Sequence, residues 1–188
     1  MLTAEAKLLH DLGLKPNHIS GAGILLAFLA GCTYWVGRDN SISLILAPML
    51  LLISGLFDAL DGVIARTYGE TTAFGGFLDS LLDRYADSFV FVGIIVSGIV
   101  NIHWGLAALV GSLIVSYVRA RAEATGVKLE AIGLAERAER IIIITLASFF
   151  SFFWIEAFNW GLIILAVLTN LTVLHRTFYF YREVKQRC

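Results

Sequence analysis

Four aspartates lie close together in an otherwise apolar part of the sequence. Asp58 and Asp61 are three residues apart, and Asp79 and Asp83 are four residues apart. Residues with either spacing share one face of a helix, so two helices joined by the polar segment 67–74 could bring all four carboxylates together. Like charges and desolvation oppose such a group of ionised carboxylates, and a divalent cation removes that conflict. Oxygen-only ligands suit a hard ion, so the spacing predicts a site for Mg²⁺ or Mn²⁺.

The composition is typical of an integral membrane protein. Of the 188 residues, 58% are hydrophobic and only 15% are charged, whereas a soluble domain usually carries about 25% charged residues. The two cysteines predict no disulfide framework, no His/Cys set has zinc-site spacing, and no nucleic-acid motif is present. We therefore predict one membrane domain over residues 1–188 and no nucleic-acid partner.

Six apolar segments, each near the length needed to span a bilayer, follow a short amphipathic leader. Residues 1–15 place apolar side chains near one face, which predicts a helix at the membrane surface; the alternative is a frayed leader. The spans are predicted at Ile19–Gly37, Ile42–Arg66, Gly76–Val100, Trp104–Thr125, Leu134–Phe153 and Ala157–Phe180. The expected fold class is all-α, with about six transmembrane helices after the amphipathic surface helix.

Positive charges are distributed very unevenly over these segments. If the N-terminus is inside, 13 of the 14 Lys and Arg residues fall on the inner side, and Arg38 is the exception. This bias predicts a multi-pass protein of the cell membrane with both termini in the cytoplasm. The four tryptophans then fall near the outer ends of the spans, as an interfacial belt would. The aspartates fall at inner ends, so their cavity should open to the cytoplasm and, if the substrate is a lipid, also sideways into the inner leaflet.

The aspartate pattern also resembles the signature of a known enzyme family. The sequence fits D-x-x-D-G-x-x-A-R, eight residues, then G-x-x-x-D-x-x-x-D, which marks the CDP-alcohol phosphotransferases. The matching residues are Asp58, Asp61, Gly62, Ala65, Arg66, Gly75, Asp79 and Asp83. The resemblance implies transfer of a phosphatidyl or archaetidyl group from a CDP-activated lipid to an alcohol, with release of CMP. It also implies a homodimer.

The resemblance implies roles for individual residues. Asp58, Asp61 and Asp79 would bind one metal ion. Asp83 would help to hold a second ion and would act as the base for the acceptor hydroxyl. The residues expected to contact the CDP-lipid are Asn17, His18, Ile19, Ser20, Gly62, Arg66, Thr72 and Gly75. Without the motif match, Gly62 and Gly75 would be explained more simply by close helix packing, and Arg66 by an anchor at the membrane interface.

A group of arginines near the inner ends of the last three spans bears on the acceptor. They are Arg119, Arg121, Arg137, Arg140 and Arg176. Positive-inside anchoring and helical pairs such as Glu136 with Arg140 explain some of these charges. Arginine forks also suit phosphate oxygens, which favours a phosphorylated polyol as acceptor. Segments 116–126 and 133–140 resemble the branch of the family that uses inositol phosphate, although members often carry lysine where Arg119 stands. Glycerol 3-phosphate is the main alternative acceptor.

Two other function classes explain the aspartates less well. A cation transporter also carries carboxylates within spanning helices, but it needs a pathway to both faces, and the outer half of this chain has few ionisable residues. A non-catalytic membrane scaffold has no need for four costly aspartates in a strict pattern. Binding of CDP or CMP together with a metal ion would separate the transferase from both alternatives.

Overall fold

The computed structural model describes residue 7, residues 16–129 and residues 132–187, and the regular structure in these ranges is helical. The six long helices are α1 (Pro16–Trp35), α2 (Ser43–Thr67), α3 (Ala73–Val96), α4 (Ile102–Glu123), α5 (Arg137–Ser151) and α6 (Glu156–Arg187), and a 3-10 turn at Val36–Arg38 extends α1. They follow the order of the six predicted spans, so the all-α fold class is confirmed. The predicted surface helix over residues 1–15 lies almost wholly outside the described residues.

Four of the described helices are long and apolar enough to cross a membrane. They are Pro16–Arg38, Ser43–Thr67, Ile102–Glu123 and Glu156–Gln186. Helix α3 has 24 residues but carries Asp79, Asp83, Arg84 and Asp87. Helix α5 has 15 residues, or about 22 Å at 1.5 Å per residue, which is less than the roughly 30 Å of a hydrocarbon core. The two helices that depart from a plain apolar span therefore both carry predicted site residues.

The chain divides into two compact units, Met1–Ser97 and Gly98–Cys188. In the first unit, α1 packs against α2 and α3. Helices α1 and α3 approach most closely at Gly31 and Gly93, where a Cβ on either glycine would overlap backbone atoms of the facing helix. Small residues allow such close approach in membrane proteins. Between α1 and α2, Ser54 donates a hydrogen bond of 2.8 Å to the Gly23 carbonyl.

In the second unit, α6 packs against α4 and α5. Its core includes Phe158, Leu162 and Leu165, which are fully buried. The connection from α4 to α5 is not helical at its described residues, and it folds back onto the unit: Val127 and Leu129 are buried in a cluster with the end of α4 and with aromatic residues of α6. This connection precedes the arginines of α5.

Candidate active site

Three of the four motif aspartates converge in the first unit. One carboxylate oxygen from each of Asp58, Asp61 and Asp79 lies within 4.8 Å of the other two. Asp58 and Asp61 are one turn apart near the end of α2, and Asp79 lies in the second turn of α3. Asp61 is buried, with 5% of its surface exposed. Three carboxylates at this separation repel one another unless a cation lies between them, and oxygen ligands suit a hard divalent ion. The residues therefore fit a metal ion.

A short turn brings α3 beside the end of α2. Gly69 adopts φ +69° just after α2, a left-handed conformation that glycine tolerates without strain. Thr72 is the N-cap of α3, and its Oγ1 accepts a hydrogen bond of 2.9 Å from the Gly75 amide. A Cβ at position 75 would lie only 2.9 Å from the same oxygen. Glycine at this position therefore leaves the cap undisturbed.

A cavity of about 320 Å³ lies beside the aspartates. Its lining residues are Pro16, Asn17, Ser20, Asp61, Gly62, Ala65, Arg66, Glu70, Thr71, Thr72, Gly75, Gly76 and Asp79. Six of the eight residues predicted to contact the CDP-lipid are in this set. His18 and Ile19 are not, because positions 17 and 20 share a face of α1 that the two intervening residues do not. His18 is exposed, and Ile19 is buried in the hydrophobic core behind the cavity.

Two contacts orient side chains that line the cavity. The Arg66 side chain folds back over Gly62, so that a Cβ at position 62 would lie 3.2 Å from NH1. The Ser20 hydroxyl of α1 donates a hydrogen bond to Oδ2 of Asp61. Such a bond fixes the direction of a carboxylate that binds metal. The sequence assigned Ser20 to the nucleotide and missed this contact, because 41 residues separate the partners.

The fourth motif aspartate, Asp83, lies outside this group of three. It follows Asp79 by one turn of α3 and is half-buried. One of its oxygens accepts a hydrogen bond of 3.2 Å from Arg84. The spacing keeps Asp83 on the same helix face as Asp79. This position would allow Asp83 to act on a group other than a metal ion held by Asp58, Asp61 and Asp79.

The predicted acceptor arginines all belong to the second unit. Arg119 and Arg121 lie in the last turns of α4, Arg137 and Arg140 in the first turn of α5, and Arg176 in α6. Arg140 and Arg176 are 3% and 1% exposed, Arg137 is half-buried and Arg121 is exposed. The guanidinium of Arg176 interacts electrostatically with Arg119 and Arg140, though less strongly than with Glu136. The structure thus gathers three of the five arginines from three helices.

Protein oxygens hold the guanidinium of Arg176. It donates through Nε to the Ile132 carbonyl at 2.6 Å, through NH1 to the Val115 carbonyl at 2.8 Å, and through NH2 to Glu136 Oε1 at 3.0 Å. The sequence suggested a helical pair between Glu136 and Arg140. In the structure, Glu136 accepts from Arg176, 40 residues away. Sequence periodicity has no signal for a contact of this kind.

Comparison with known proteins identifies the family. The sequence profile of the CDP-alcohol phosphatidyltransferase family matches residues 14–174. The chain belongs to this family. It is therefore a membrane-bound transferase of phospholipid synthesis, and the enzyme class predicted from the aspartate motif is confirmed.

Two archaeal members of the CDP-alcohol phosphatidyltransferase family resemble the chain over almost its whole length. The archaetidylinositol phosphate synthase of Pyrococcus horikoshii is 39% identical over 181 residues, which cover 96% of this chain and 89% of the relative. The archaetidylinositol phosphate synthase of Methanothermobacter thermautotrophicus is 42% identical over 177 residues, which cover 93% of this chain and 87% of the relative.

Solved structures of a bacterial member share the fold. The phosphatidylinositol phosphate synthase of Mycobacterium tuberculosis with CDP-DAG bound matches with a TM-score of 0.84 and 30% identity, over 96% of this chain and 94% of that one. The same enzyme in complex with manganese and citrate matches with a TM-score of 0.83 and 30% identity, over 96% of this chain and 89% of that one. The all-α membrane fold predicted from the sequence is that of this enzyme.

Proposed function

We propose that this CDP-alcohol phosphatidyltransferase transfers a phosphatidyl or archaetidyl group from a CDP-lipid to 1D-myo-inositol phosphate and releases CMP. The observation that carries the proposal is the convergence of three motif carboxylates beside a cavity lined by six of the predicted donor contacts. The two archaetidylinositol phosphate synthases that resemble the chain support inositol phosphate as the acceptor.

The donor end of the reaction belongs to the first unit. Asp58, Asp61 and Asp79 would hold one divalent cation, Mg²⁺ or Mn²⁺, and Asp83 would help to hold a second. When bound, the ions neutralise the pyrophosphate and stabilise the charge on departing CMP. Arg66 would pair with the pyrophosphate through its planar guanidinium. The manganese and CDP-DAG bound by the mycobacterial enzyme support both assignments.

The chemistry is a single displacement at phosphorus. Asp83 takes the proton from the acceptor hydroxyl, and that oxygen forms a bond to the lipid-bearing phosphorus. The bond from this phosphorus to the bridging oxygen breaks, and the electron pair leaves with CMP. No covalent enzyme intermediate is needed, because one base and one donor phosphate account for all the bonds that form and break.

The acceptor phosphate would be bound by arginines of the second unit. Arg119, Arg140 and Arg176 would hold it, with Arg121 and Arg137 nearby. Arg119 and Arg140 both repel the guanidinium of Arg176, and Glu136 and Glu123 offset part of that repulsion. A phosphate dianion would offset it further while accepting N–H groups of the arginines. Serine or a neutral amino alcohol as the acceptor would explain this cluster of arginines less well.

We also propose where the enzyme lies in the cell and how it is oriented. The chain would be a single domain of the cell membrane, with its active site and both termini facing the cytoplasm. The distribution of Lys and Arg supports this orientation, and the family profile, which extends across both compact units, supports a single domain. The enzyme would act as a homodimer, as the family resemblance implies.

The test is acceptor-dependent CMP release by the purified protein in detergent. Mg²⁺ and either CDP-archaeol or CDP-diacylglycerol are supplied, and inositol 1-phosphate, free inositol, glycerol 3-phosphate and serine are compared. Release with inositol phosphate alone is the expected result. Release with glycerol 3-phosphate and not with inositol phosphate would leave the proposed roles of the aspartates intact and would overturn inositol phosphate as the acceptor. A protein that binds neither CDP nor CMP in the presence of metal would overturn the transferase.

A further inference from the structure

A non-helical segment, Ile132–Glu136, leads into α5 in the second unit. We propose that Thr172 and Glu136 are positioning residues for the acceptor: together they hold this segment against α6, and the segment in turn places the guanidiniums of Arg140 and Arg176. This rests on the proposed function, since it concerns the arginines that would bind the acceptor phosphate. The segment is called the acceptor clamp below.

Thr172 holds the clamp through both branches of its side chain. It is 1% exposed and lies one turn before Arg176 on α6. Its hydroxyl donates to the Leu168 carbonyl at 2.8 Å and accepts the amide of Leu134 at 3.0 Å, so its orientation is fixed. Its methyl group faces Gly133, which has φ +137° and where a Cβ would overlap that methyl. The clamp can therefore lie this close to α6 only with glycine at 133.

The clamp provides hydrogen-bond acceptors for both buried arginines. Arg176 donates through Nε to the Ile132 carbonyl at 2.6 Å and through NH2 to the Glu136 carboxylate at 3.0 Å. Arg140 donates through NH1 to the Ala135 carbonyl at 3.2 Å. Residues within one five-residue segment thus orient guanidiniums that belong to two different helices.

Burial explains why these acceptors decide where the guanidiniums point. In the ranges that the structure describes, the buried Asp, Glu, Lys and Arg residues are Asp61, Arg140 and Arg176. A buried guanidinium is costly unless its N–H groups are paired, so it follows its acceptors when they move. The three contacts of Arg176 use three of its five N–H groups. The other two would be left for a phosphate, and two of the three acceptors that orient the guanidinium, Ile132 and Glu136, belong to the clamp.

Thr172→Val tests the hydrogen bond between Thr172 and the clamp, and it leaves the side-chain volume nearly unchanged. It leaves the Leu134 amide without its acceptor, so the clamp should shift. We expect the KM for inositol phosphate to rise about tenfold, the ratio that corresponds to one lost hydrogen bond near a charged group. The KM for the CDP-lipid and the affinity for Mn²⁺ should stay within about twofold of wild type. Thr172→Ser keeps the hydroxyl and should restore the acceptor KM.

Thr169→Val is the matched control. Thr169 is also fully buried on α6, but its hydroxyl donates to carbonyls of its own helix, those of Leu165 and Ala166. The acceptor KM of this variant should stay near the wild-type value. An equal rise for both valine variants, or an equal rise in the donor KM of Thr172→Val, would indicate general damage to α6 and would overturn the proposal.

A second pair of variants tests the ion pair between Glu136 and Arg176. Glu136→Ala removes the carboxylate that pairs with Arg176, whereas Glu139→Ala removes an exposed carboxylate from the first turn of α5, which follows the clamp. We expect the first to raise the acceptor KM and the second to leave it unchanged. If Thr172→Val does not fold, this pair decides the question. Wild-type acceptor KM in Glu136→Ala would overturn the clamp.

The acceptor used by the wild-type enzyme separates the two proposals. All rates are initial rates of CMP release by the full chain in detergent, with donor and acceptor varied separately. If the wild type uses glycerol 3-phosphate instead, the proposed acceptor is wrong, and the same KM comparison with that phosphate still decides the clamp. If no phosphorylated acceptor is used, both proposals are overturned. An unchanged acceptor KM in the variants overturns the clamp alone.

Discussion

The carboxylates of the first unit come from two helices that are adjacent in the sequence, whereas the arginines of the second unit come from three helices over residues 119–176. A five-residue turn, 68–72, is enough to bring α2 and α3 together at the aspartates. The arginines depend on contacts between distant segments. Arg140 and Arg176 donate to loop carbonyls, those of Ala135 and Ile132 respectively, and Arg176 also donates to the Val115 carbonyl of α4. The carboxylate group is therefore encoded locally, and the arginine group depends on tertiary packing.

This difference predicts how each site responds to substitution. A substitution of one aspartate should act mainly at that residue, because no shared loop orients the three carboxylates: Asp58 and Asp61 reach the site from α2 and Asp79 reaches it from α3. A substitution that moves the clamp should affect both Arg140 and Arg176, because the clamp orients both guanidiniums.

Asp83→Asn should abolish transfer while leaving donor binding almost unchanged. The amide cannot take the proton of the acceptor hydroxyl, and loss of a general base costs about 10²- to 10⁴-fold in rate. CMP release measures the rate, and binding of the CDP-lipid in the presence of Mn²⁺ measures the donor site. Asp87→Asn, one turn further along α3, is the control and should retain more activity. Wild-type turnover by Asp83→Asn would refute the assignment of the base.

Arg140→Gln should raise the acceptor KM about 10- to 100-fold, because a buried charged donor to phosphate is lost. The donor KM should not change, since the CDP-lipid would be bound by residues of the first unit. Initial rates with varied inositol phosphate and varied CDP-lipid separate the two constants. Arg182→Gln is the control, because Arg182 is exposed and lies over the Phe178 ring at 5.6 Å. A parallel rise in both KM values would contradict a separate acceptor site.

Ser20→Ala should weaken metal binding about tenfold, because the hydroxyl that orients Asp61 is lost. Ser20→Thr keeps a hydroxyl and should behave like the wild type. The readout is Mn²⁺ affinity from the paramagnetic resonance of the free ion, without substrate. Ser54→Ala is the control, because Ser54 also joins α2 to α1 but donates to the Gly23 carbonyl. If Ser54→Ala weakens Mn²⁺ binding equally, the effect belongs to helix packing and not to the orientation of Asp61.

Gly31→Ala should destabilise the first unit with little direct effect on the chemistry. The new methyl group would overlap the Phe89 carbonyl of α3, a backbone atom that has little freedom to move. Overpacking of this kind costs about 1–3 kcal/mol, which a lower thermal unfolding temperature in detergent would report. Gly21→Ala is the matched control, because no atom lies within 4 Å of a Cβ there. Equal unfolding temperatures for the two variants would contradict the close packing of α1 and α3.

Helix boundaries show how far the sequence pattern reached. The second span was predicted at Ile42–Arg66 and is found at Ser43–Thr67. The third was predicted to begin at Gly76, but Thr72 caps the helix and starts it at Ala73. The fifth was predicted to begin at Leu134, but α5 starts only at Arg137 because the clamp precedes it. Hydropathy locates a span, but it does not show the Thr72 cap that fixes the start of α3 or the non-helical clamp that delays the start of α5.

The sequence by itself determined the all-α membrane fold, the family and the residues of the carboxylate group. The reason is that helical periodicity and a short turn are local, so spacing alone predicts which side chains share a face. Only the tertiary structure decided that Ser20 orients Asp61, that Ile19 belongs to the core, and that Glu136 pairs with Arg176. The two hydrogen bonds join residues about 40 positions apart, and no spacing rule in a single sequence predicts such contacts before the helices have packed.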